Sequence, residues 1–138
     1  MSETISPVPL QNLKWYGDGT DIDTDEGRLY LDSVLDAGSR RVLGFALGEH
    51  HDADLAYGGL AMAVAVRGGH VPGVIFRTDQ GSGVHRGLRR IERFATRAAA
   101  RAGVAAWIED YNHHRRHSAL GRVSPVDYER ALAGKDAA

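Results

Sequence analysis

Carboxylates crowd the front of this chain and guanidinium groups crowd the back. Residues 1–85 carry 12 Asp and Glu against 6 Lys and Arg, while residues 86–138 carry 6 against 11. Carboxylates hold divalent cations and guanidiniums hold phosphates, so the division suits a metal-dependent enzyme acting on nucleic acid. Random scatter of surface charge gives the same division, and the pattern alone does not decide between the two. Among the basic residues, Arg97, Arg101, Arg115, Arg116 and His117 are candidates for phosphate contact, because the planar arginine fork matches phosphate oxygens in pairs. Such contacts would position DNA without reading its bases.

Other constellations point elsewhere or nowhere. His113 and His117 have the i, i+4 spacing that zinc sites use, but Arg115 and Arg116 between them would repel a cation. His50-His51-Asp52-Ala53-Asp54 is rich in ligand types, yet Asp52 stands where a helix N-cap belongs, and the cap is the favoured reading. No cysteine is present, which excludes disulfides, thiolate metal sites and cysteine nucleophiles and fits a cytoplasmic protein. Neither Ser82 nor Ser118 sits in a G-x-S-x-G elbow, so a hydrolase has no local support. No apolar run is long enough to span a bilayer, and residues 1–10 have neither the basic nor the apolar region of a signal peptide.

The elements that must position these groups follow from periodicity. Residues 1–12 have two prolines and no pattern, which predicts a loose tail ahead of one domain over residues 13–133. Lys14–Asp23, Arg28–Asp36 and Arg41–Leu47 alternate as strands, separated by turn residues at Thr24–Gly27 and Ala37–Ser39. Short turns make them an antiparallel meander. Asp52–Arg67 predicts a helix, although Gly58 and Gly59 each weaken it by roughly 1 kcal/mol relative to alanine. Gly73–Phe76 is a short apolar run of the kind found in a buried strand. Thr96–Asn112 carries one apolar stripe of Ala100, Val104, Trp107, Ile108 and Tyr111. Ser124, Pro125 and Asp127 open a last short helix as N-cap, first helical residue and capping-box acid. The order is that of an α/β protein with a mixed sheet.

Three segments, taken together, resemble the integrase catalytic core of bacterial insertion-sequence transposases. The first is Trp15-Tyr16-Gly17-Asp18-Gly19-Thr20 with Thr24-Asp25-Glu26-Gly27-Arg28-Leu29-Tyr30-Leu31, running on through Val34-Leu35-Asp36 to Ser39-Arg40-Arg41-Val42-Leu43-Gly44. The second is Gly73-Val74-Ile75-Phe76-Arg77-Thr78-Asp79-Gln80-Gly81-Ser82. The third is Tyr111-Asn112-His113-His114-Arg115-Arg116-His117-Ser118-Ala119-Leu120-Gly121, followed by Ser124-Pro125. Each is weak alone; their order makes the match specific.

The resemblance implies an RNase H-like fold and DNA integration by metal-dependent phosphoryl transfer. Two Asp and one Glu would hold two Mg²⁺ or Mn²⁺ ions, hard cations that prefer oxygen ligands. It makes Asp18 the first carboxylate and Asp79 the second, both catalytic and metal-binding. It also implies DNA as partner, with self-association or association with an intact transposase. This sequence departs from the family in carrying Asp21 and Asp23 in place of an aromatic residue and a proline, Arg77 in place of a histidine, and Val84 in place of an aromatic. The largest departure follows Asp79. Gly83-Val84-His85-Arg86 leads almost directly into Arg90–Arg97, which resembles a stretch well beyond the family's catalytic Glu. Roughly forty residues are expected to be missing, and with them the fifth strand, a loop and the helix bearing the third carboxylate. Glu92 is the nearest substitute, while Glu109 and Asp110 belong to a helix the family packs elsewhere. The expectation is therefore a degenerate core, and its alternative a non-catalytic module that binds nucleic acid or protein.

Overall fold

The computed structural model describes residues 14–78, 93–117 and 120–137. Four strands, β1 (Lys14–Thr24), β2 (Gly27–Asp36), β3 (Val42–Gly48) and β4 (Ile75–Thr78), form one sheet in the order β3-β2-β1-β4. β1 pairs antiparallel with β2 from Trp15↔Asp36 to Thr24↔Gly27, and β2 pairs antiparallel with β3 across an irregularity at Val34/Leu35. β4 joins the other side of β1 in parallel, from Lys14↔Ile75 to Gly17↔Thr78. Three helices complete the fold: α1 (Ala53–Val66), α2 (Arg97–His114) and α3 (Pro125–Ala137). The predicted meander and mixed sheet are present, consistent with an RNase H-like integrase core.

Alternation along β1 and β2 sorts their side chains into two cores, because strand neighbours point to opposite faces. Trp15, Val34 and Leu43 meet Ala63 of α1 on one face. Ile22, Leu29, Leu31, Leu35 and Val42 meet Phe94 and the α2 stripe of Ala100, Val104, Ile108 and Tyr111 on the other. Burying each large aliphatic side chain of this kind stabilises the fold by about 1.5–3 kcal/mol. α1 forms despite its two glycines because it packs closely on the sheet, and the small residue that packing requires is on the strand. A Cβ on Gly44 of β3 would lie 2.6 Å from the Ala63 backbone nitrogen and against the Gly59 carbonyl, so the helix can sit on the sheet only where side chains are missing.

Local signals set the helix starts. The Asp52 side chain accepts from the Leu55 amide at 3.1 Å, Thr96 from the Ala99 amide at 3.0 Å, and Ser124 from the Asp127 amide at 3.2 Å. Asn112, near the end of α2, both donates to and accepts from the Val42 backbone, at 2.9 and 2.8 Å, and so closes part of the outer edge of β3. One expectation is corrected. The Gly73–Phe76 run does not form a buried strand; β4 lies two residues later and all four of its residues are exposed, Ile75 by 52%. α1 covers β3 and β2 rather than β4, which leaves that side of the sheet open.

Candidate active site

A cavity of about 530 Å³ opens beside α1, over β1, β2 and the exposed strand β4. Asp18 and Gly19 of β1, Asp32 of β2, His51 ahead of α1 and Phe76 of β4 are among its walls. Asp18 lies mid-strand and half-buried, paired in register with Ser33. The parallel register of β1 and β4 ends at Gly17↔Thr78, one residue before Asp18 and one before Asp79 in sequence. Asp79 and Glu92 lie outside the described residues.

Asp32 is the carboxylate the sequence did not single out. It pairs in register with Gly19, and a Cβ on that glycine would stand 2.7 Å from the Asp32 Oδ1. The absence of that Cβ lets the carboxylate lie along the strand toward the His51 Nε2, 3.4 Å away. The His51 ring in turn stacks on Tyr30, centroids 5.5 Å apart. Burial pushes the Asp32 carboxyl above its usual range; His51 opposes that shift, and the negative charge of Asp18 adds to it. The ligand-rich run ahead of α1 therefore does two jobs. Asp52 caps the helix as predicted, while His51 faces the cavity. Nothing in the sequence marked Asp32, which shares its face of β2 with Arg28, Tyr30, Val34 and Asp36.

The described carboxylates do not make a two-metal centre by themselves. A divalent ion of this type needs several oxygens in near-octahedral array. Among the described residues no group of three His, Cys, Asp or Glu could hold an ion. Asp18 and Asp32 occupy neighbouring strands in adjacent register positions, so their side chains leave opposite faces of the sheet. Glu109 and Asp110 are exposed on α2 and pair with His113 and His114.

The basic candidates divide. Arg97 is bound to Glu49 at 2.9 Å, lies over Gly27, and its backbone amide donates to Glu26 at 2.8 Å. Arg101 donates to the Leu47 carbonyl at 3.2 Å. Arg115 and Arg116 are exposed just beyond α2, with Arg115 over the Tyr111 ring and His117 edge-on to it. They are on a different part of the surface from the cavity, whose walls include none of them.

Comparison with known proteins gives this arrangement a context. The integrase core domain matches residues 9–122. Transposase InsF for insertion sequence IS3A of Escherichia coli (strain K12) is similar, at 33% identity over 156 residues, covering 86% of this chain and 54% of that protein. Transposase InsF for insertion sequence IS3 of Escherichia coli O111:H- gives the same figures. The insertion element IS600 uncharacterized 31 kDa protein of Shigella sonnei is 28% identical over 167 residues, 93% of this chain and 60% of that protein. The chain spans about half the length of the curated relatives it matches. Since 86% of 138 residues is about 119, an alignment of 156 leaves about 37 positions of the relative with no counterpart here.

Proposed function

This chain belongs to the integrase core domain family, and from that premise we propose that it is a shortened transposase core that binds DNA but does not complete strand transfer alone. The family generally uses divalent metal ions. Asp18 and Asp79 would be its first two carboxylates. The observation that carries their pairing is the parallel β1–β4 register, which ends at Gly17↔Thr78 immediately before both residues in sequence. The reading of lost turnover rests on the roughly 37 relative positions without a counterpart, the same extent as the expected missing segment. Glu92 is a weak replacement, since a carboxylate not placed for the purpose rarely meets the geometry of a bound Mg²⁺. DNA is the partner by family, and a second copy or an intact transposase is a partner proposed on the same ground.

A second reading, a non-catalytic nucleic-acid or protein interaction module, is favoured by one observation: Asp18 and Asp32 leave opposite faces of the sheet. One experiment separates the two from an active enzyme. End-labelled DNA is incubated with the protein and Mn²⁺, with Asp18→Asn and Asp79→Asn as paired controls. No nicking by a cooperatively melting protein is expected. Nicking that both substitutions abolish would overturn the loss of activity and show that a third ligand has been recruited.

A further inference from the structure

We propose that Arg40, Arg115 and Arg122, gathered around His117, form a phosphate-binding patch that takes the phosphodiester backbone of a DNA strand. The inference rests on the DNA-binding reading above and adds to it a defined site away from the cavity.

The arginines of this chain sort by partner. Arg28, Arg41, Arg67, Arg93, Arg97 and Arg130 each reach a carboxylate. Among the described residues, Arg40, Arg77, Arg101, Arg115, Arg116 and Arg122 have no such contact; Arg101 donates instead to the Leu47 carbonyl, and Arg40, Arg115 and Arg122 belong to three segments around His117. Arg40 sits in the β2–β3 turn, Arg115 and Arg116 directly follow α2, and Arg122 lies in the loop before α3. That loop folds back on itself, with the Arg122 amide donating to the His117 carbonyl at 2.8 Å and His117 bridging to Val123. The Arg115 guanidinium lies 5.9 Å from the Tyr111 ring centroid, and the Tyr111 and His117 centroids are 5.3 Å apart. Burial raises the Tyr111 hydroxyl to about 12 and lowers the His117 imidazole, and the charges of Arg115 and Arg40 lower both groups.

Two further features suit this cluster to an anionic ligand. The His117 Nε2 is buried and has no hydrogen-bond partner among the described residues, a costly state that an incoming acceptor oxygen would relieve. The backbone is also strained here. Arg40 (φ 65°) and Arg122 (φ 66°) are the only non-glycine residues with positive φ among those described. Both use their amides for turn bonds, Arg40 to the Asp36 carbonyl at 2.8 Å and Arg122 to His117, which glycine could make without strain. The turns need a left-handed residue but have no use for a guanidinium. An outlier of this sort is a reason to look for a function of the side chain. Arginine forks with a neighbouring imidazole donor are suited to phosphate oxygens.

The test sets stability against binding. Anisotropy of a fluorescein-labelled DNA oligonucleotide is followed over a salt series with the full chain, Arg40→Gly, Arg122→Gly and the carboxylate-paired control Arg28→Ala. Each glycine variant is expected to melt at a higher temperature than the parent while binding DNA about tenfold more weakly, its log–log salt slope smaller by about one. Arg28→Ala should bind as the parent does. Unchanged affinity and slope in both glycine variants would overturn the patch while leaving DNA binding itself intact. If the parent chain binds no DNA, inorganic phosphate is titrated against the His117 ring resonances. A shift abolished by Arg40→Gly upholds the phosphate site and rejects DNA as its source; no shift overturns the proposal.

Discussion

Asp32 and Asp36 leave the same strand four residues apart and on the same face, yet they live in opposite surroundings. Asp36 is fully buried and closed in by donors: the Gly38 and Ser39 amides at 2.8 and 3.2 Å and the Arg67 guanidinium at 3.2 Å. Glu129, from α3, completes that end by accepting from Ser39, from Arg41 at 2.9 Å and from Arg67 at 2.8 Å. Asp32 has one exposed histidine at 3.4 Å and an open cavity beside it. Asp36, at the end of β2, belongs to a finished ionic latch joining β2, α1 and α3; Asp32, in mid-strand, is a partly desolvated carboxylate left available. Burial alone does not distinguish a structural acid from a candidate functional one. The number of donors aimed at it does.

The largest expected effect comes from opening the latch. Glu129→Ala leaves the Arg67 guanidinium, only 10% exposed, facing Asp36 without its main partner. Breaking a buried pair by removing one member costs about 3–5 kcal/mol. Urea unfolding should show a fall of that size. A loss below ~1 kcal/mol would mean the latch is no stronger than a surface ion pair, and the contrast with Asp32 would collapse.

Gly44→Ala tests the element that both ends share. α1 carries Arg67 just past its C-terminus and His51 just ahead of its N-terminus. Its close seat on Gly44 meets backbone atoms that cannot swing aside. A methyl group there should cost about 1–3 kcal/mol by overpacking, read as a lower melting temperature. If the loss is also accompanied by a weaker effect of Glu129→Ala in the double variant, the latch depends on how α1 is seated.

How much of this was written locally explains which parts were readable in advance. The three meander strands, both long helices and the caps at Asp52 and Ser124 follow from periods and capping residues within a few positions of one another. β4 was misjudged because its apolar residues said nothing about which face α1 would leave bare. The latch joins α1 and α3 to the β2 end across 31 to 90 positions, and the Asp32–His51 contact depends on a glycine in the facing strand. Neither has a local signature. Arg40 and Arg122 were hidden for a related reason: their left-handed backbones belong to turns whose residues suggested no glycine requirement at those positions.

The latch should also respond to acid. Burial pushes the Glu129 carboxyl up, but the hydrogen bonds from Arg67, Ser39 and Arg41 outweigh it and hold the group below its ordinary value of 4.5. The folded state therefore binds this proton less readily than the unfolded chain does. The stabilisation is complete above pH 4.5 and is lost as the pH falls through the depressed value. Glu129→Gln should be less stable than the parent at pH 7 and approach it as the pH falls. Parallel stability curves for the two proteins would show that the latch is not ionic.

Asp32→Asn is expected to have the smallest effect and the opposite sense. Burial, aided by Asp18, raises the Asp32 carboxyl above its ordinary value of 3.8 despite His51. The ionised side chain thus weighs against folding, and its handicap appears as the pH rises through the shifted value. The amide keeps the shape without the charge. At neutral pH the variant should gain stability, on the order of 0.5 kcal/mol, and at low pH the two proteins should coincide. Urea unfolding at both pH values decides it. A loss at neutral pH would mean that the His51 contact outweighs desolvation, making Asp32 a second structural acid like Asp36. A gain would mark a carboxylate held in the cavity at the expense of stability, as functional groups often are.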